Sequence, residues 1–146
     1  MSAQGSNRSR LHELLAASDS GDIDAALGFY APDYHDHDVT EARQGDGTHL
    51  DALRHGFEAF STAFSDVRHT VHDAIEEGDL VAARISVEAR HTAALWGFAP
   101  SGRILRNDSI VIYRFVDRRI RERWCRERRS TRSLLESGQS EPGATR

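Results

Sequence analysis

The sequence predicts an α+β fold in which three N-terminal helices pack on a strongly curved antiparallel or mixed β-sheet. In the N-terminal half, apolar residues recur at helical spacing, as Leu11, Leu14 and Leu15 do. In the C-terminal half, apolar and polar residues alternate, which is typical of strands with one buried face. Helices followed by long strands indicate a sheet covered on one face by helices. Such a curved sheet leaves a cone-shaped cavity in which a small ligand would bind.

The composition predicts one soluble domain. Of the 146 residues, 29% are charged and 38% hydrophobic, and the formal net charge is −4, so nothing favours binding to nucleic acid. Cys125 is the single cysteine, which excludes an internal disulfide and favours a reducing cytoplasm. No apolar run has the length of a signal peptide or a membrane span, so we expect no membrane partner. One domain is expected at residues 10–135, between disordered tails at 1–9 and 136–146.

The N-terminal half is predicted to hold a helix pair, a short strand and a third helix. The pair is interrupted by "DSGD" at residues 19–22. Residues 31–40, "APDYHDHDVT", alternate after Pro32 and place His35 and His37 on one side of an extended segment. The third helix starts after a cap at Thr48 or Asp46. Its apolar stripe is formed by Leu50, Leu53, Phe57, Phe60 and Phe64.

The C-terminal half is predicted to form long antiparallel strands. The turn "EEGD" precedes a strand with one apolar face, formed by Ala83, Ile85, Val87, Ala89 and His91. After a loop with Pro100 and Gly102, "RILRNDSIVIYRF" forms the next strand. The turn "VDRR" then leads into "IRERWCRERR", which pairs back on it.

Three segments resemble the SnoaL-like branch of the nuclear transport factor 2-like superfamily, which includes small polyketide cyclases and related hydroxylases. They are "FYAPDYHDHD", the stretch with the His91–Thr92 pair and its "GFAPSGR" loop, and the hairpin "IVIYRFVDRRIRERW". The resemblance covers most of the chain and implies an NTF2-like cone. It further implies a cofactor-free aldol closure of a polyketide ester, with an acid as acid/base and histidines that hold the enolate.

The chain departs from that family at two positions. The family acid follows the hairpin tryptophan, but Cys125 follows Trp124 here. The steroid isomerase branch carries an acid at the position that Val111 occupies in this chain. These departures place the ordinary cyclase mechanism in question, and the resemblance also permits a hydroxylase that works without metal or flavin.

Two histidines are the predicted catalytic residues. His37 would lie near the mouth of the cone, where an imidazole can exchange a proton near neutral pH. His91 is the last residue of an apolar strand face, and the family that the chain resembles also has a His-Thr pair at this place. The alternatives are that "DHD" is a solvated strand end and that His91 is a core histidine with one hydrogen bond.

A metal site is the rival interpretation of the histidine-rich segment. His35, His37 and Glu41 have the spacing of the first cupin motif, in which imidazoles and a carboxylate bind a metal. The second cupin motif fails, because Leu105 stands where it requires a histidine. We therefore expect no metal and no other cofactor.

The remaining candidates would contact the substrate. Tyr113 and Asn107 share a strand face with Val111 and could donate to an enolate oxygen. Trp96 and Trp124 could stack on an aromatic ligand, although tryptophans at strand ends are often core or dimer contacts. The other predicted contacts are Cys125 and His35.

The leading hypothesis is a cytoplasmic, cofactor-independent enzyme of polyketide or antibiotic biosynthesis that closes a ring in its substrate. A hydroxylase, an epoxide-opening enzyme and a non-catalytic ligand-binding module remain alternatives. The outer sheet face, with Ile110 and Ile112 beside Arg114, is expected to pair with a second copy in a homodimer.

Overall fold

The structure, a computed structural model, describes residues 5–39 and 45–139. Its elements follow the predicted order of helices first and strands second. They are α1 (Asn7–Ser20), α2 (Ile23–Leu27), β1 (Tyr30–Asp36), α3 (His49–Ala63), β2 (Phe64–Glu77), β3 (Leu80–His91), β4 (Ile104–Val116), β5 (Arg119–Glu127) and α4 (Thr131–Gln139). The predicted α+β class and the NTF2-like cone are confirmed, with α4 added after the last strand.

The sheet is mixed and has the order β1-β5-β4-β3-β2. β1 runs parallel to β5, and the other neighbours are antiparallel. In β2 the register shifts between Ser65 and Arg68 and again between Val71 and Asp73. Bulges of this kind bend a strand and increase its twist, so they favour a sheet that curls around the helices.

Strand alternation decides which side chains face the helices. The predicted inner face of β3 is confirmed, since Ala83, Ile85 and Ala89 are buried. Val111 and Tyr113 occupy the same face of β4 and are also buried. The neighbouring side chains of these strands point to the opposite, outer face.

The helix boundaries follow from their caps. The Ser6 side chain accepts a hydrogen bond from the backbone of Ser9 and starts α1, and Gly21 ends it with a φ of 78°. The predicted cap at Thr48 is confirmed: its hydroxyl accepts from the backbone N–H of Asp51, whose carboxylate accepts from the Thr48 N–H in return. Phe64, predicted to belong to the third helix, is instead the first residue of β2.

Two helices extend into the segments predicted as disordered tails. α1 begins at Asn7 because the Ser6 cap lies inside the segment assigned to the N-terminal tail. α4 continues to Gln139 and buries Leu134, Leu135 and Gly138, so its residues after 135 are helical and packed. In residues 5–39 and 45–139, no helix is both long and apolar enough to cross a bilayer.

Candidate active site

A cavity of about 560 Å³ lies between the helices and the inner face of the sheet. Its walls are mainly apolar and include Leu14, Leu53, Phe57, Ile85, Ala89 and Val111. A largely apolar cavity of this size, with a few polar groups in its wall, is typical of a small-molecule site.

One polar group of the cavity wall is a histidine–carboxylate pair formed by His69 of β2 and Asp19 of α1. The His69 Nδ1 lies 2.5 Å from one carboxylate oxygen of Asp19, and the His69 backbone N–H donates to the other at 3.0 Å. Both residues line the cavity. Because the carboxylate accepts a hydrogen bond from Nδ1–H, the neutral ring has its lone pair on Nε2, which is the form that accepts a proton.

The position of Asp19 is unfavourable for α1 alone. The last turn of α1 contains no basic residue, and a carboxylate at the negative end of a helix costs about 0.3–1 kcal/mol. The two hydrogen bonds from His69 offset this cost, since hydrogen bonds to charged groups contribute about 1.5–3 kcal/mol. The chemistry of the helix end therefore does not explain why position 19 carries an aspartate, whereas its hydrogen bonds with His69 do.

A second polar group lies on the wall formed by β1 and β5. The Arg123 Nη1 donates to Asp36 Oδ2 at 3.0 Å, and the Tyr34 hydroxyl donates to the same oxygen at 3.2 Å. The backbone N–H of Asp38 donates to Asp36 Oδ1 at 2.8 Å. Arg123 and Asp36 both line the cavity, and we call these two residues together the arginine pole.

Three buried tyrosines surround the arginine pole: Tyr30, Tyr34 and Tyr113. Burial raises the pKa of Tyr30 well above its usual value, and the neighbouring Tyr113 raises it further. Burial likewise raises the pKa of Tyr34, and the carboxylate of Asp36 adds to the effect. Both phenols are therefore uncharged hydrogen-bonding groups at neutral pH.

His49, the first residue of α3, lies next to the arginine pole and lines the cavity. Its Nδ1 accepts a hydrogen bond from the backbone N–H of Asp36 at 2.9 Å, so the proton of the neutral ring is on Nε2. Burial lowers the pKa of His49, and the nearby ring of His35, stacked at 4.2 Å, lowers it further. His49 is thus a neutral imidazole at the cavity wall.

Cys125 lies in the cavity wall, as predicted, but it is not an activated nucleophile. Burial raises the pKa of its thiol, so the neutral form predominates. Its backbone N–H donates to Asp38 Oδ2 at 2.5 Å. Burial disfavours ionisation of Asp38, but this hydrogen bond and the one from Arg126 outweigh it and lower the pKa of the carboxyl.

His37 and His35 do not line the cavity. Tyr34 and Asp36 point inward, so alternation along β1 sends His35 and His37 to the outer face. There the ring of His37 stacks on Trp124 at 4.4 Å with an interplanar angle of 4°, and its Nε2 lies 3.0 Å from Glu122. Trp124 therefore also belongs to the outer face. The alternation was predicted correctly, but the side of β1 that faces the cavity was not.

Of the other candidates, Tyr113 and Asn107 line the cavity. The Asn107 amide donates to Glu127 at 3.1 Å and to the Arg129 carbonyl at 2.7 Å. His91 is fully buried beside Phe64 outside the cavity wall. Its Nδ1 is 3.4 Å from the Ser101 N–H, and its Nε2 finds no acceptor among the described residues. Trp96 is 56% exposed on the loop after β3 and is not part of the cavity wall.

The metal interpretation gains no support from side-chain geometry. In the described part of the chain, no three His, Cys, Asp or Glu side chains are grouped closely enough to hold a metal ion. Glu41, the third residue of the cupin-like spacing, lies outside the described residues.

Sequence reasoning missed six polar residues of the cavity: Asp19, His69, His49, Asp36, Arg123 and Tyr30. Some signals were present. Asp19 stands at the helix break, where a carboxylate is unusual, and His69 alternates with Val67 and Val71. Nothing in the sequence brings Asp19 and His69 together, because they are far apart along the chain.

The fold and cavity define a class of protein: an NTF2-like cone with a ligand-sized cavity and polar groups in its wall. Residues 9–129 match the family model described as SnoaL-like polyketide cyclase. The chain belongs to the SnoaL-like polyketide cyclase family. No curated protein matches the sequence significantly.

Several solved structures are similar over nearly their whole length. AclR from Streptomyces galilaeus, a proposed hydroxylase, is 26% identical with a TM-score of 0.74, over 93% of this chain and 97% of that one. IdmH from Streptomyces antibioticus, a proposed polyketide cyclase, is 25% identical with a TM-score of 0.74, over 92% of this chain and 99% of that one. TsrD from Streptomyces laurentii is 20% identical with a TM-score of 0.72, over 93% and 98% of the two chains, and supports the fold alone.

Proposed function

We propose that this chain is a cofactor-independent enzyme that closes a ring in a polyketide-derived substrate by acid/base chemistry in its cavity. The observation that carries the proposal is the His69–Asp19 pair in a mainly apolar cavity wall. It supplies a base although Cys125 replaces the family acid. The proton-transfer role expected for His37 and His91 thus passes to His69.

The reaction would be an intramolecular aldol addition. His69 Nε2 removes a proton from a carbon next to a carbonyl, and Asp19 stabilises the imidazolium that forms. The enolate carbon attacks a second carbonyl of the same chain, a carbon–carbon bond forms, and the new alkoxide takes a proton from the imidazolium. One positioned base contributes about 10²- to 10⁴-fold, and holding a flexible chain in its folded form contributes further.

The first step can be tested without knowing the natural substrate. We expect the protein to accelerate deuterium exchange at the methyl group of 2-acetylnaphthalene in D₂O, followed by proton NMR. His69→Gln, which removes the base, should lose about 10²-fold or more of the acceleration. Asp19→Asn keeps the shape of the side chain but removes the charge, and should lose about tenfold.

Two further histidines serve as controls. His55→Gln alters an exposed residue of α3 and should exchange at the wild-type rate. His37→Gln should also retain the rate, because His37 lies on the outer face. The assignment of His69 as the base fails if His69→Gln exchanges at the wild-type rate. If His37→Gln alone is slow, His37 is the base instead.

A hydroxylase is the alternative that a specific observation favours, since AclR, a proposed hydroxylase, is as similar to this chain as IdmH is. A hydroxylase acting with molecular oxygen would place one oxygen atom in the product and release the other as water, with the two electrons supplied by an electron-rich aromatic substrate. Mass spectrometry with ¹⁸O₂ detects the incorporated atom. A ligand-binding module would bind aromatic compounds without exchange or oxygenation.

We also propose that the chain acts in the cytoplasm as a homodimer. The outer sheet face carries a row of register partners across four strands, formed by Ile75, Ala82, Ile112 and Trp124. Ile110 lies beside it and is 58% exposed. A contiguous apolar surface on one sheet face is typical of a protein–protein contact.

A further inference from the structure

We propose that the arginine pole binds an uncharged carbonyl or enol oxygen of the ligand and makes the cavity selective for aromatic compounds with oxygen at one edge. The ligand class rests on the proposed function, but the inference concerns binding and not proton transfer. It makes Arg123 a specificity-determining residue.

The Arg123 guanidinium has more hydrogen-bond donors than its contact with Asp36 uses. A guanidinium carries five N–H groups in a planar fork. Among the described residues, Asp36 is its hydrogen-bond acceptor, through Nη1. The side chain is 25% exposed and lines the cavity, so the other donors can reach an oxygen inside it.

Asp36 holds Arg123 and is not itself free to bind a ligand. One of its oxygens accepts from Tyr34 and Arg123, and the other accepts from the backbone of Asp38. Hydrogen bonds from three donors fix the position of this carboxylate. The guanidinium is therefore held in place before any ligand arrives, which reduces the ordering cost of binding.

The charges at the arginine pole cancel. Arg123 pairs with Asp36, and behind Cys125 the Arg126 guanidinium pairs with Asp38. Tyr30, Tyr34 and His49 beside the pole are neutral at pH 7, since burial raises the pKa of the two phenols and lowers the pKa of the imidazole. An anionic ligand would lose its hydration without meeting a net positive charge, whereas a neutral oxygen loses much less. The pole therefore favours a carbonyl or enol over a carboxylate.

The neighbouring walls suit an aromatic body attached to that oxygen. Tyr30 lies 6.4 Å from Phe57 in an edge-to-face arrangement, and Tyr113 is the register partner of Arg123. His69 stands across the cavity, since β3 and β4 separate its strand from β5. A ligand anchored at Arg123 would point its far end toward the His69–Asp19 pair.

Equilibrium binding of three naphthalenes tests this selectivity by titration calorimetry. The probes are 2-acetyl-1-naphthol, which has a neutral oxygen edge, 1-hydroxy-2-naphthoate, which has a carboxylate, and 2-ethylnaphthalene, which has no oxygen. We expect wild type to bind the acetylnaphthol at least tenfold more tightly than either other probe. Arg123→Met should weaken the acetylnaphthol about ten- to hundredfold. It should change the affinity for 2-ethylnaphthalene by less than about twofold.

Arg121→Met is the matched control. Arg121 lies on the same strand but pairs with Asp33 outside the cavity, so its removal should leave all three affinities unchanged. Arg123→Met leaves the Asp36 carboxylate without its charged partner, whereas the double variant Asp36→Asn/Arg123→Met removes that charge as well. The double variant replaces Arg123→Met in the titrations if the single variant does not fold. It should show the same selective loss.

Three results would overturn the inference: tighter binding of the carboxylate, an equal loss for the acetyl and ethyl probes, or no loss at all. The outcome is independent of the proposed reaction, because calorimetry reads the binding of the probes and not proton transfer. Intact deuterium exchange with unselective binding rejects only the arginine pole. Selective binding without exchange rejects only the proposed reaction.

Discussion

His49 connects two environments, since its ring lines the cavity and also stacks on the exposed ring of His35. Burial and the neighbouring His35 hold the pKa of His49 below the usual 6.5. At pH values between 6.5 and the lower pKa of His49 in the folded protein, the unfolded chain binds more protons at this position than the folded chain does. The free energy of unfolding therefore falls as the pH falls through this window.

The replacement His49→Asn should remove this acid sensitivity. The Asn side-chain oxygen can still accept the Asp36 N–H, but it does not titrate. We expect wild type to lose more stability than the variant between pH 7.5 and 5.5, measured by urea unfolding. The carboxyls with lowered pKa values, such as Glu122, titrate at lower pH and act equally in both proteins. Equal losses in the two proteins would show that His49 is not the responsible group.

At the scale of elements, α3 depends on its N-terminal cap to place His49 against the sheet. Thr48→Ala removes the hydroxyl that accepts the Asp51 N–H and should cost about 1 kcal/mol in the free energy of unfolding. Thr62→Ala is the control, because Thr62 is exposed in the same helix and alanine is the better helix former. Urea unfolding of both variants tests this, and a neutral Thr48→Ala would contradict a stabilising role for the cap.

The elements differ in how far the sequence could predict them. The inner face of β3 was predictable, because apolar residues alternate with polar ones along the strand and Ala83, Ile85 and Ala89 are buried. β1 was not, because it carries polar side chains on both faces and its hydrophobic pattern does not select one. Its orientation is fixed by parallel pairing with β5, which sets Asp36 opposite Arg123. Such pairing joins distant parts of the chain and leaves no local signal.

The cavity as a whole was predictable as a feature of the fold, but its polar chemistry was only partly predictable. Tyr113 was found because it lies on a strand with a clear inner face, and Cys125 was found because it stands at the position of the family acid. The His69–Asp19 pair was not found, because it depends on how α1 crosses β2 in three dimensions. The family resemblance could not supply it either, since the family acid is replaced here by Cys125.

At the scale of the whole molecule, the outer sheet face predicts self-association. Light scattering should give a mass twice the 16.3 kDa of one chain. Ile112→Asp places a charge in the apolar row and should give the mass of one chain, since burying an unpaired charge is costly. Trp96→Ser removes an exposed apolar residue from a loop outside the sheet and should leave the doubled mass unchanged.

Two outcomes would count against this arrangement. A single-chain mass for wild type would refute the homodimer. A doubled mass for Ile112→Asp would move the contact between copies to another surface.

The alternation of Tyr34, His35, Asp36 and His37 at the end of β1 has a consequence for protein engineering. Tyr34 and Asp36 point inward, where Asp36 lines the cavity, whereas His35 and His37 point outward. A combinatorial library limited to the inward positions therefore changes the polar chemistry of the cavity wall and leaves the outer sheet face intact. A second library at the outward positions changes that face and leaves the cavity wall unchanged.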